Sequence, residues 1–192
     1  MPSIFPYRPR PGHSGDAPLI VTLVPDPASH ALFDRLRTAH FPPERLLVGA
    51  HVTMFHALPG SEFDAVADIL ARAAAATRPM PFTATGPVAL SRRGVAIALD
   101  CPSAKGLKRR LAGEFDFALT PQDRGGMRPH VTIQNKVTPD VAGMTLATVR
   151  AGWSPRQGTF RGLALWRYLG GPWEPAGDWT FREPIAGAED GS

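Results

Sequence analysis

The chain has 192 residues, 43% of them hydrophobic and 20% charged, with a net charge of +4. That describes one globular domain, or two small lobes sharing a core, and excludes a disordered chain. No apolar run approaches the ~20 residues of a membrane helix, and the single Cys101 cannot close an internal disulfide, which favours a reducing, cytoplasmic setting.

Residues 1–17 read as a flexible, Pro-rich arm: Met1 to Pro18 holds five prolines with Arg8 and Arg10 and no apolar block, unlike a signal peptide. Leu19 to Val24 is a nearly continuous apolar run, the pattern of a buried strand. Asp26 caps the next helix with Pro27 at its first position, and Leu32, Phe33 and Leu36 form its apolar stripe. Leu46 to Leu58 reads as a strand region and Pro59-Gly60 as a turn. Ser61 to Asp64 resembles a capping box before a helix striped by Phe63, Val66, Ala67 and Leu70. Phe82 to Leu90 is a further strand, closed by the hairpin turn Ser91-Arg92-Arg93-Gly94.

The second half restates the first. Val95 to Leu99 is a strand, and Leu107, Leu111 and Phe115 mark a helix that Ser103 is placed to cap. A long polar loop leads to a strand from His130 to Val137. Thr138-Pro139-Asp140 then starts a helix whose inward side reads as Val141, Met144, Thr148 and Val149. Thr159 to Leu169 is a strand, with Trp173 to Phe181 as its hairpin partner. Corresponding elements recur at a nearly constant offset of about 78 residues, the signature of an internal duplication. The expected fold is α+β: two pseudo-symmetric lobes of mainly antiparallel sheet, with outer helices around a central cleft. Its domain spans 18–184, its repeat halves are about 18–91 and 94–183, and residues 185–192 form a disordered tail.

One tetrad appears in both halves: His51-Val52-Thr53-Met54 and His130-Val131-Thr132-Ile133. Alternate side chains of a strand share a face, so each His points the same way as its Thr. A pseudo-twofold brings the two polar faces together across the cleft. Two facing imidazoles can hold one ring neutral and one protonated, a general base and a general acid for one turnover. The threonine hydroxyls suit phosphoryl oxygens on which charge builds up. No Ser or Cys triad accompanies them, nor the carboxylates usual beside histidines in a hydrolytic metal site.

These paired tetrads resemble the His-x-Thr/Ser-x motifs of the two-histidine phosphoesterase superfamily, and the surrounding sequence resembles its bacterial 2′-5′ RNA ligase-like branch. The resemblance covers roughly residues 18 to 183. It implies metal-independent opening of 2′,3′-cyclic phosphates to 2′-phosphates, with reversible RNA ligation in some members. It implies His51 and His130 as the acid–base pair and Thr53 and Thr132 as phosphate-holding hydroxyls; which histidine is the base stays open. No metal or other cofactor is implied. The expected partner is an RNA end or a small cyclic-phosphate nucleotide, bound by a monomer with no obligate protein partner and no membrane. Two rival readings remain: an RNA-end-binding module without turnover, and a metallohydrolase using both histidines as ligands.

Further candidates surround the tetrads. Where bacterial ligase-like members often carry an arginine after the second motif, this chain has Gln134-Asn135-Lys136. Alternation puts Gln134 and Lys136 on the His130 face. Phe55 continues the His51 face, either stacking on a base or lining the core. Trp166 and Tyr168 face the cleft if the leucines opposite them pack on a helix. Arg92, Arg93, Arg124 and Arg128 are candidate phosphate contacts, with solvated turn arginines as the alternative. Lys105, Lys108, Arg109 and Arg110 read as an exposed helix face, and His56 as structural.

Overall fold

A computed structural model describes residues 17–115 and 119–182. The tail at 185–192 and all of the expected arm except Ala17 lie outside them; Ala17 itself is buried. The first half contains β1 (Leu19–Pro25), α1 (Pro27–His40), β2 (Val52–Leu58), α2 (Phe63–Ala75) and β3 (Met80–Ala89). The second contains β4 (Val95–Asp100), α3 (Pro102–Glu114), the short α4 (Pro121–Arg124), β5 (His130–Gln134), α5 (Pro139–Ala151) and β6 (Arg156–Tyr168), followed by β7 (Trp173–Thr180).

Helix starts follow local chemistry. The Asp26 carboxylate accepts the Ser29 amide at 2.9 Å and, from the far end of the chain, the Thr159 amide at 2.8 Å. One cap therefore also fixes α1 against β6. Thr138 caps α5 with Pro139 behind it. Two expected caps are absent: Ser61 lies in a 3₁₀ turn and α2 has no side-chain cap, while Ser103 sits inside α3, which starts at Pro102. On α5 the buried residues are Ala142, Thr145 and Val149, whereas Val141 and Met144 are 43% and 71% exposed. The stripe that includes small Ala142 lets the helix approach β3 closely, and the larger side chains turn outward.

The strands form one sheet in the order β2-β1-β6-β3-β4-β5, every pair antiparallel. Exchanging the halves (β1 with β4, β2 with β5, β3 with β6) reverses this order into itself. The duplication read from the sequence is thus a pseudo-twofold passing between β3 and β6, with the third strand of each half crossing to pair with the first strand of the other. Beyond the reach of β3, β7 takes over the edge of β6, pairing from Gly162 to Tyr168. Gly162 is required there: a Cβ would lie 2.4 Å from the Trp179 carbonyl oxygen, a backbone atom that cannot step aside.

β2 and β5 stand at opposite ends of the strand order, yet their Cα atoms approach within 8 Å. The sheet is therefore curled, as its accumulated twist favours, with helices outside and the tetrad strands meeting at its mouth. Phe33, Phe82 and Phe160 pack in sequence beneath α1, with centroids 6.3 and 4.5 Å apart. No helix among the described residues is long and apolar enough to cross a membrane.

Candidate active site

His51 immediately precedes β2, and His130 opens β5. Each imidazole is held in the same way: Nδ1 lies 2.8 Å from the carbonyl two residues upstream, Gly49 for His51 and Arg128 for His130. With Nδ1–H donating to a carbonyl, Nε2 is the nitrogen left to face a ligand. Thr53 and Thr132, two residues on, are half-buried like their histidines.

After each threonine the strand bulges. Thr22 pairs with Thr53 but Val21 with Phe55, so Met54 is an extra residue; Ala96 pairs with Thr132 but Val95 with Gln134, so Ile133 is another. A bulge reverses the faces beyond it, which overturns the cleft face expected of Gln134 and decides for Phe55 in favour of the core. Phe55 is fully buried, its ring edge-on to Phe115 at 5.1 Å with the Lys108 ammonium 3.5 Å above it. Gln134 is buried too, donating to the His40 carbonyl at 3.1 Å and the Thr145 hydroxyl at 2.9 Å. Neither lines the cleft. Lys108 likewise leaves the exposed face expected for it. It is buried and donates to the Asp123 carbonyl at 2.6 Å, and burial lowers its ammonium to about 8 against the opposing Asp123 charge.

The residue that joins the two motifs is Arg37, which is absent from the sequence candidates. Its Nε donates to the Val48 carbonyl at 2.9 Å, beside His51, and its Nη1 to the Thr132 carbonyl at 2.7 Å, across the curl. The guanidinium is buried and stacks on Phe41 at 4.1 Å. A signal existed: Ser29, Phe33 and Arg37 follow one another at i, i+4 on the buried stripe of α1, where a charged residue needs specific partners.

The surroundings of His51 set its charge. Burial lowers the His51 imidazole to about 4; Arg37 and His130 push the same way, outweighing the Gly49 carbonyl and Asp34. His51 is thus neutral at pH 7, with its Nε2 lone pair open.

A cleft of about 410 Å³ opens beside it, lined by His51, Arg37, Thr132, Lys136, Tyr168 and Trp173 among others. Trp173, another residue absent from the sequence candidates, packs at 4.5 Å from the His51 ring. A second, mainly apolar hollow of about 340 Å³ also borders His51, and Trp166 forms part of its wall and donates to Thr22. Trp166 and Tyr168 therefore each line a hollow that His51 borders. Lys136 reaches the cleft through a left-handed backbone turn (φ 61°), not through strand alternation. Arg128 contributes its carbonyl to His130, with its side chain exposed. Arg93 lines a neighbouring hollow and not the cleft, its Nε donating to the Val137 carbonyl at 3.0 Å. Arg124 is exposed. His56 holds the buried Asp123 carboxylate at 3.0 Å. Among the described residues, no three His, Cys, Asp or Glu side chains gather as a metal site.

A model of the 2′-5′ RNA ligase superfamily matches residues 24–172, and the chain belongs to that superfamily, the two-histidine phosphoesterases its paired motifs resemble. Among solved structures, it is similar to the Thermus thermophilus protein TT0787 at 15% identity, over 88% of this chain and 100% of that one, with a TM-score of 0.59. It is also similar to Escherichia coli LigT in apo form, at 17% identity over 88% and 99% of the two chains and a TM-score of 0.55. LigT complexed with 3′-AMP is 20% identical over the same shares, with a TM-score of 0.51. These likenesses show the fold. No curated protein matches the chain.

Proposed function

We propose that the protein is a metal-independent 2′,3′-cyclic phosphodiesterase, working as a monomer with His51 as general base and His130 as general acid. The observation that carries this reading is the matched tethering of the two imidazoles through Nδ1, with His51 held neutral. Membership of the superfamily supports it, as does the nucleotide in the LigT complex with 3′-AMP.

In the forward step, His51 Nε2 removes a proton from water, and the water oxygen forms a bond to phosphorus. The bond from phosphorus to the 3′ oxygen breaks, and that oxygen takes the Nε2 proton of His130. The products are a 2′-phosphate and a free 3′-hydroxyl. His51 leaves the step protonated and His130 neutral, and exchange with solvent resets both. The Thr53 and Thr132 hydroxyls donate to the non-bridging oxygens as charge accumulates there. A 5′-hydroxyl in place of water gives a 2′-5′ linkage by the same proton transfers, which is the ligase direction. Trp173, Tyr168 and Trp166 supply aromatic surface for the nucleoside.

Hydrolysis of an RNA end bearing a 2′,3′-cyclic phosphate, with chelator present, tests this. We expect 2′-phosphate product, with rates lower by ~100-fold or more in His51→Ala and in His130→Ala. Absence of product from the unmodified protein, or variants that keep its rate, overturns the mechanism. Binding without turnover makes the protein an RNA-end-binding module, and activity abolished by chelator makes it a metallohydrolase.

A further inference from the structure

Next to the cleft, and sharing Arg45, Asn135 and Lys136 with it, lies a further hollow of about 430 Å³ completed by Ser91 and Arg93. Three cations line it. The Lys136 ammonium and the Arg93 guanidinium have no acidic partner within ion-pair distance among the described residues. Arg45 meets only Glu44 at 3.9 Å, with the two side chains 51% and 71% exposed. Ser91 (φ 57°) and Lys136 (φ 61°) are the only non-glycine residues with positive φ among the described residues, and both line this hollow. Backbone strain of this kind collects at binding sites.

The pseudo-twofold indicates what the hollow is for. Asn135 and Lys136 stand to His130 as His56 and Ala57 stand to His51, and Glu44 stands to His51 as Asp123 stands to His130. In one half, the Asp123 carboxylate is buried and accepts the His56 and Ala57 amides at 2.9 and 3.0 Å. An internal anion fills that position. In the other half, the matching Glu44 is left exposed at the wall of the adjoining cleft, the Lys136 amide is taken by the Asn135 side chain at 2.8 Å, and Arg45, Arg93 and Lys136 line the hollow.

We infer that the hollow between Arg45, Arg93 and Lys136 is a second phosphoryl subsite, which holds the 5′-side phosphate of the nucleotide whose cyclic phosphate lies between the histidines. It rests on the proposed phosphodiesterase reading and narrows the substrate to one carrying a second phosphate. That phosphate is either the phosphodiester of an RNA chain or the 5′-phosphate of a free nucleotide. Arginine guanidinium groups bind either as a planar fork.

The test compares kcat/KM for uridine 2′,3′-cyclic phosphate, its 5′-phosphorylated form, and a dinucleotide ending in the cyclic phosphate. The unmodified protein should prefer both phosphate-bearing substrates about tenfold or more over the first. That ratio should fall towards one in the double variant Arg45→Gln/Arg93→Gln and partway in each single variant. Equal rates for the 5′-phosphorylated substrate and the first overturn the subsite, and so does a ratio that the variants leave intact. If both phosphate-bearing substrates are preferred, a further preference for the dinucleotide identifies the chain phosphodiester as the natural occupant, and parity identifies a terminal phosphate. If nothing is turned over, the phosphodiesterase reading fails, but calorimetry still reads the subsite. Uridine 2′,5′-bisphosphate should then bind about tenfold tighter than uridine 2′-phosphate, and only when both arginines are present; equal affinities overturn it.

Discussion

His51 should make the protein lose stability below neutrality in a way that its asparagine variant does not. The imidazole has an ordinary value of 6.5 and is lowered to about 4 in the fold, chiefly by burial. Between those values the unfolded chain binds more protons than the folded one, so stability rises with pH. The contribution is complete above pH 6.5 and is lost as pH falls toward 4. With 1.36 kcal/mol per unit, the loss reaches about 2 kcal/mol by pH 5 and about 3 kcal/mol by pH 4. His51→Asn keeps a donor near the Nδ1 position for the Gly49 carbonyl but has nothing to titrate. Urea unfolding of both proteins from pH 7 to pH 4 gives the comparison. The excess loss of the unmodified protein over the variant should follow that curve, and the His51 ring signals in NMR should shift with a midpoint near 4. Two proteins that lose stability in parallel between pH 7 and pH 5, within about 0.5 kcal/mol, would refute burial of a neutral imidazole.

Three further perturbations check the packing around the site. Arg37→Lys replaces a fork spanning two carbonyls with a single ammonium. It should cost about 2 kcal/mol in denaturant unfolding and lower kcat more than it raises KM, because the two motifs lose their shared tie. Phe55→Ala should cost ~3–5 kcal/mol as a core deletion, while KM for a cyclic nucleotide stays unchanged at temperatures where the variant is folded. Asp123→Asn should cost about 2 kcal/mol at pH 7. Burial alone would raise the Asp123 carboxyl, but bonds from His56 and Ala57 outweigh it and bring it down to about 2. Its contribution is therefore present above pH 3.8 and lost as pH falls through 2, so unfolding curves of the two proteins should converge in strong acid.

Periodicity and repetition in the sequence determined the element order, the duplication and the paired tetrads, because each depends only on residues near one another in the chain or on a constant offset between them. The α1 cap at Asp26, the turn at Ser91 to Gly94 and the shared face of each His with its Thr are local in this sense. What lay beyond the fourth residue of each tetrad was not. Phe55 and Gln134 left the cleft because a bulge, set by pairing with β1 and β4, inserted one residue and reversed the alternation. Lys108 turned inward because Asp123, which it meets through the backbone carbonyl, was carried to it by the fold. Arg37 and Trp173 came to the site only when the sheet curled and β7 folded back along β6. Local pattern shows which face a side chain takes while the strand stays regular; which faces then meet, and which charge is buried between them, depends on contacts between residues distant in the chain, which only the tertiary structure decided.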